Sequence, residues 1–436
     1  MTAVAGGIGR SHADAALEKR AYRRVTLRLI PFLFLCYVVA YLDRVNVGFA
    51  KLQMLSDLRM SDTAYGVGAG IFFIGYFLFE VPSNLILHKV GARVWIARIM
   101  VTWGLISILT MFVTGPWSFY LLRFLLGLAE AGFFPGIILY LTQWYPSSRR
   151  AQIISMFLTG VAISGVIGGP LSGWILASMS GVAGWAGWKW LFLLEGIPSL
   201  VMGAATYWYL PDSVERAPWL PEDERRCLMR NLANEAGGVE HANVFETLRD
   251  PRVVLYAGIS FCFVMGLYGI SFWLPQLIRT MGVQDAARIG VLSGIPSGVA
   301  AIVMVVLGWS SDRWRERRWH LVGGAILGAT GLIVAGMFGT SLAIGLTAMC
   351  AAMAGALSNI ALFWTLPTAA LRGTSAAAGI AAINSVGNLA GFLSPYLIGV
   401  VKDATGEATF GLYVIAAFML LGAVLVIIAT RQTQRA

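Results

Sequence analysis

Apolar runs of about twenty residues or more alternate with polar breaks along nearly the whole 436-residue chain. A helix needs about 20 apolar residues to cross a bilayer, so each run is read as one crossing. Twelve are predicted, near 27–50, 63–86, 94–114, 118–143, 151–178, 190–210, 253–278, 289–310, 321–338, 342–366, 375–400 and 408–429. Many breaks are too short to fold alone, such as 115–117 and 339–341. A single long polar stretch, 211–252 with its PEDERR segment, separates six runs from six. The pattern predicts an all-α polytopic membrane protein with 12 transmembrane helices in two six-helix bundles, 27–210 and 253–430. The expected tails are 1–26 and 431–436, and 211–252 is the expected linker.

Composition agrees with this pattern. Only 12% of residues are charged, about half the share of a soluble domain, and 58% are hydrophobic. A net charge of +10 in a soluble protein would suggest nucleic acid, so its placement matters. Of 32 Lys and Arg, 24 fall on the side of the termini, and Lys51, Arg59, Lys189, Arg279, Arg288 and Lys402 on the other. That bias places both termini and the linker in the cytoplasm of a multi-pass inner-membrane protein, and the positive charge is topological. No nucleic-acid role follows. The first run, behind a short basic leader, is too long for a cleavable signal. Cys36, Cys227, Cys262 and Cys350 show no CxxC spacing, so neither disulfides nor a thiolate metal site is expected, and nothing calls for a cofactor. No HExxH, GxSxG or Walker motif occurs in a fitting context, which argues against an enzyme or an ATP-driven pump. A sensor on the same scaffold would need a signalling domain.

The halves echo each other. NLILHKVGAR (84–93) follows span 2 and GWSSDRWRERR (308–318) follows span 8, the equivalent place in the second half. Such internal repeats mark secondary transporters, in which one half rocks against the other.

Apart from Arg28 and Arg98 near the cytoplasmic ends, which are counted with the side of the termini, the charged groups inside the spans are Asp43, Arg44, Glu80, Arg123, Glu130 and Glu195, all in the first half. Each costs roughly 2.5–3.5 kcal/mol at a helix centre, so they should face a bundle interior or a wet cavity. Glu80 and Glu195 also read as interhelical ties. Arg123 and Glu130 are seven residues apart, on one helix face and about 10 Å apart along the axis. Asp43 and Arg44 are adjacent and point about 100° apart, so one can face a cavity while the other meets a neighbouring helix. His12, His88, His241 and His320 all lie outside clear spans, so a carboxylate must carry any coupled proton. Glu130, among small and apolar neighbours, is the first candidate, and Asp43 the second. The second half offers neutral handles: Tyr268, Trp273, Trp364, Thr365, Asn384 and Asn388. The two asparagines share a face one turn apart and suit hydroxyl or carboxyl oxygens, with interhelical bonding as the alternative. Gly165, Gly169 and Gly173, with Pro170 between them, form a small-residue face for close packing and a break in the hydrogen-bond ladder.

Five segments carry a family resemblance: YLDRVNVGFAKLQM (41–54), GYFLFEVPSN (75–84), KVGARVWIAR (89–98), LLRFLLGLAEAGFFPG (121–136) and GWKWLFLLEG (187–196). Over essentially its whole length the chain resembles major facilitator superfamily transporters, and within them the anion:cation symporter family. Bacterial members of that family take up organic acids such as tartrate, phthalate, hexuronates and aldonates. FAKLQMLSDL followed by YGVGAGIFFIGYFLFEVPSN is closer to the tartrate-like and phthalate-like branch. The resemblance implies that Arg44 contacts a substrate carboxylate, Asp43 is a proton-linked acid, Glu130 couples proton to transport, and Arg123 changes partner during the cycle. Tyr76 and the Asn384 and Asn388 region resemble cavity-lining positions, and Tyr41, Tyr268 and Trp364 complete the expected substrate-binding set. Gly308, Asp312 and Arg313 match the superfamily's loop pattern and join the glycine face as gating candidates. In the first copy His88 stands in place of the acid and Asn84 in place of the first glycine.

The expected function is a monomeric, proton-coupled symporter importing a tartrate-like, phthalate-like or sugar-acid anion by alternating access. The alternative is a proton-coupled metabolite or drug exporter. Export of cations would favour cavity acids without arginines, whereas here Arg44 and Arg123 accompany the acids.

Overall fold

Surrounded by hydrocarbon, a backbone must satisfy its polar groups internally, and the apolar runs accordingly fold as helices. The computed structural model describes residues 12–233, 250–371 and 375–433, and among them no strand occurs. The first crossing is α1 (His12–Val45) continued by α2 (Val47–Leu58). Next come α3 (Asp62–Val90) and α4 (Ala92–Leu109), a fourth crossing made of α5 (Pro116–Glu130) and α6 (Phe133–Thr142), then α7 (Ser147–Ser178) and α8 (Gly187–Tyr209). A short α9 (Glu222–Ala233) lies in the linker. The second half holds α10 (Pro251–Thr280), α11 (Ala286–Trp314), α12 (Arg318–Met337), α13 (Leu342–Phe363) extended by α14 (Thr365–Ala370), α15 (Ser375–Thr405) and α16 (Thr409–Thr433).

Eleven helical stretches among the described residues are long and apolar enough to span a membrane. The 31-residue α15 is also of spanning length, and its apolar character is diluted by Asn384, Ser385, Asn388, Ser394 and Pro395. Residues 1–11, 234–249 and 434–436, which hold parts of the expected tails and linker, lie outside the described residues.

Two features of the linker side differ from the sequence reading. The first helix starts well before the apolar run, and the linker is not all loop. Both follow from one ion cluster: Arg20 and Arg24 of α1 bond the buried Glu224 of α9 at 2.9 and 2.8 Å, and Arg20 also reaches Asp223 at 2.8 Å. Glu222, Asp223 and Glu224 occupy the first turn of α9, where negative charge complements the helix dipole.

The halves meet along two seams. Where α7 crosses α11, a methyl added to Gly169 would lie 2.6 Å from the Gly290 carbonyl oxygen, and one on Gly290 would lie 2.4 Å from that of Gly169. The same closeness occurs between α3 and α15, where a methyl on Gly66 would lie 2.5 Å from the Pro395 carbonyl oxygen and one on Gly399 2.4 Å from that of Asp62. Backbone in contact with backbone leaves nothing to yield. We expect Gly169→Ala to lower the melting temperature, at about 1–3 kcal/mol of overpacking, and to slow transport. Gly323→Ala, where open space surrounds the position, should leave both unchanged.

On the side opposite the termini, Asp62 bridges Lys51 at 2.7 Å and Lys402 at 3.0 Å. Asp403 accepts from the Asp62 and Thr63 amides at 3.1 and 2.8 Å. Arg279 donates to the Leu52 carbonyl at 2.6 Å, so both halves are tied together on this side. On the terminal side the repeated turns use local partners. Arg93 finds an acid in Asp212 at 3.6 Å, and Asp312 pairs with Arg317 rather than with the exposed Arg313. Gly308 faces open space, so close packing does not explain that glycine.

Candidate functional site

One crossing is interrupted beside Arg44, and the interruption helps build the site. Arg44 itself lies where α1 runs on into α2: Asn46 keeps helical dihedrals and donates to the Leu42 carbonyl at 3.0 Å. The α5 to α6 break follows Glu130: Ala131 is extended and Gly132 is left-handed, with φ 85°. A methyl on Gly132 would also lie 2.2 Å from Ser83 Oγ, so glycine is required on both counts. This explains the AEAGFFPG segment. At the α13–α14 junction Trp364 keeps helical dihedrals, so that crossing continues to Ala370. Discontinuous helices are how transporters bring polar groups to the middle of a bundle.

Arg44 and Glu130 form the centre. Arg44 Nε donates to Glu130 Oε1 at 3.1 Å, a second guanidinium nitrogen reaches the same oxygen, and Nη1 donates to Tyr268 Oη of α10 at 3.0 Å. The guanidinium also lies over Phe72, Tyr76 and Tyr41, at 5.3, 5.6 and 5.9 Å from their ring centres. Side-chain exposure is 13% for Arg44 and 1% for Glu130, so the arginine meets the cavity while the glutamate is closed off behind it.

The central cavity is walled by Tyr37, Tyr41 and Arg44 of α1, Tyr76 of α3, Phe134 of α6, Tyr268 of α10, Phe363 and Trp364 at the α13–α14 junction, and Asn384 and Asn388 of α15, among others. Every substrate-binding candidate from the sequence except Arg123 stands in this wall. Tyr37, Phe134, Ser260 and Phe263 line it too and were not singled out. Tyr37 was within reach, because 37, 41 and 44 recur on one helical face.

Two sequence-predicted residues lie elsewhere. Arg123 does not face the cavity and does not bond Glu130: it is fully buried, donating to the Gly68 and Ala69 carbonyls at 3.3 and 3.2 Å. Their small side chains leave the α3 backbone open to the guanidinium, and the break after Glu130 turns the glutamate toward α1. Asp43, the second proton-coupling candidate, is also off the cavity wall. It accepts from Trp103 Nε1 and Ser107 Oγ of α4, each at 3.0 Å, and from Ser199 Oγ of α8. Of the adjacent pair, Arg44 takes the cavity and Asp43 fastens α1 to α4 and α8.

The remaining buried acids are interhelical ties. Glu195 accepts from Ser172 of α7 at 2.6 Å. Glu80 reaches across the halves, accepting from Asn384 Nδ2 and Ser385 Oγ of α15, each at 2.9 Å. Trp273 is off the cavity wall and joins the Asp62 cluster instead, with Lys51 Nζ 3.0 Å above its ring centre. Thr365 is satisfied within its own turn by the Leu362 carbonyl at 2.7 Å.

Eleven spanning helices and a twelfth of spanning length among the described residues, in two halves seamed by glycines around a cavity that carries Arg44, tyrosines and asparagines, are the architecture of a secondary transporter. The chain matches the model of the Major Facilitator Superfamily over residues 33–395, and it belongs to that family. It is 49% identical over 411 residues to a protein of Pseudomonas putida named as the metabolite transport protein NicT, covering 94% of each chain. It is 48% identical to a protein of Agrobacterium vitis named as a tartrate transporter, covering 96% of this chain and 93% of the other. A quinolone resistance transporter of Acinetobacter baumannii is 44% identical, covering 96% of each. A bacterial homologue of the lysosomal transporter Spinster shares the fold, with TM-score 0.74, 18% identity and coverage of 94% and 97%.

Proposed function

We propose that the protein is a proton-coupled symporter that imports a small organic anion across the inner membrane by alternating access, working as a monomer with both termini cytoplasmic. The observation that carries this reading is the Arg44 guanidinium, held at the cavity wall by Glu130 from one half and Tyr268 from the other. In the empty site Glu130 occupies the fork that a substrate carboxylate needs. Protonation of Glu130 removes that competing charge, and the released guanidinium can take the incoming carboxylate with Tyr268 beside it. Proton and anion thus bind with positive coupling, which linkage makes reciprocal. With both aboard, the 27–210 and 253–430 bundles rock about the glycine seams, and the proton and anion leave on the cytoplasmic side. In this reading Asp43 and Arg123 position α1 and α5 and do not touch substrate.

The name of the Agrobacterium vitis relative supports a carboxylate substrate. Export is the second reading, favoured by the name of the Acinetobacter baumannii relative. Radiolabelled uptake into proteoliposomes separates them, with tartrate, phthalate, glucarate and galactonate as the panel. An inward proton gradient should drive accumulation of at least one acid. Proton-driven expulsion of a fluoroquinolone, with no acid accumulated, would favour export instead.

A further inference from the structure

The cavity wall carries two unlike polar groups, one from each half. From α1 Arg44 offers N–H donors. From α15 comes Asn384, whose amide could in principle present either its oxygen or its nitrogen, and the neighbour behind it decides which. That neighbour is Glu80, one helical turn beyond cavity-lining Tyr76 and only 4% exposed. Its Oε1 accepts from Asn384 Nδ2 and its Oε2 from Ser385 Oγ, both at 2.9 Å. With both carboxylate oxygens accepting, the amide nitrogen is committed to Glu80, and the Asn384 carbonyl oxygen is left for the cavity that the residue lines. Glu80 forms no ion pair among the described residues, and the cation whose field reaches it, Arg44, is already paired with Glu130, so its carboxylate stands close behind that oxygen.

The geometry points to Glu80 as the residue that sets the substrate class: by turning the Asn384 amide it presents an acceptor to the cavity, so the site takes a hydroxy monocarboxylate in preference to a dicarboxylate. This rests on the reading of Arg44 as the carboxylate anchor and goes further by assigning the second polar group of the wall. A hydroxyl there donates to the Asn384 carbonyl. A second carboxylate there has no proton to give, faces another acceptor, and is repelled by Glu80, so its desolvation is uncompensated.

Threonate and tartrate test this, because they differ only in whether the fourth carbon is a hydroxymethyl or a carboxylate. Calorimetry on the purified full-length protein near neutral pH, where both acids are fully ionised, should give threonate an advantage of about tenfold or more, the usual scale for one unmet buried polar group. In Glu80→Gln the new amide can donate to Asn384, which frees the Asn384 nitrogen to turn toward the cavity, and the repelling charge is gone. The preference should then collapse toward equality or reverse, and Glu80→Ala should also erode it. Tartrate binding as tightly as threonate to the unmodified protein overturns the role of Glu80 while leaving Arg44 as anchor, and this comparison stands even if neither variant folds. A threonate preference that persists unchanged in both variants overturns it as well. If neither acid binds, the proposal falls as well, and the uptake panel of phthalate, glucarate and galactonate decides the carboxylate reading separately.

Discussion

Arg44→Lys should weaken substrate binding by roughly 10- to 100-fold, the equivalent of one or two charge-assisted hydrogen bonds, although the positive charge is kept. In the structure the guanidinium serves Glu130 and Tyr268 at once while lying among Phe72, Tyr76 and Tyr41. An ammonium is a point charge without the planar fork, so it can hold Glu130 or a substrate oxygen but cannot bridge both halves around a carboxylate. Calorimetry or thermal shift with the transported acid measures the loss. Undiminished affinity in Arg44→Lys would make this arginine a structural tie.

Glu130→Gln should keep substrate binding and counterflow exchange while abolishing uphill uptake driven by a pH gradient. The glutamine imitates the protonated acid: it no longer competes as an anion for Arg44, and it cannot release a proton on the far side. Binding by the unmodified protein should strengthen as pH falls, since an anion that binds together with a proton is favoured by proton concentration. Binding by Glu130→Gln should lose most of that dependence. Proton-dependent accumulation that survived in this variant would move the coupling role to another carboxylate, with Asp43 next.

Much of the molecule is written in local pattern. Apolar run length gives the crossings, because hydrocarbon leaves helices as the structure open to them. Arg44, Tyr268, Trp364, Asn384 and Asn388 were legible as polar or amphipathic residues within spans, and Tyr41 and Tyr76 through the family resemblance. What was not legible depends on partners distant in sequence. Arg123 and Glu130 share a periodicity, but periodicity does not reveal that Gly68 leaves a carbonyl open to Arg123 or that Gly132 breaks the helix after Glu130. Likewise nothing near Asp43 announces Trp103, Ser107 and Ser199, which close around it from α4 and α8. Glu80 read as a tie from the sequence, and only the structure shows that it ties a cavity residue. The α9 helix was hidden for a different reason: its charged residues look like loop until Arg20 and Arg24 are seen to hold Glu224.

The central claim is that Glu130 and the substrate carboxylate exchange possession of Arg44, with a proton making the exchange possible. Counting the protons taken up when substrate binds tests it most directly, by calorimetry of the same binding reaction in two buffers of different ionisation enthalpy at one pH. The unmodified protein should take up a proton from buffer as the anion binds, and Glu130→Gln should bind the anion with no uptake. Binding without proton uptake by the unmodified protein, or equal uptake by Glu130→Gln, would contradict the exchange.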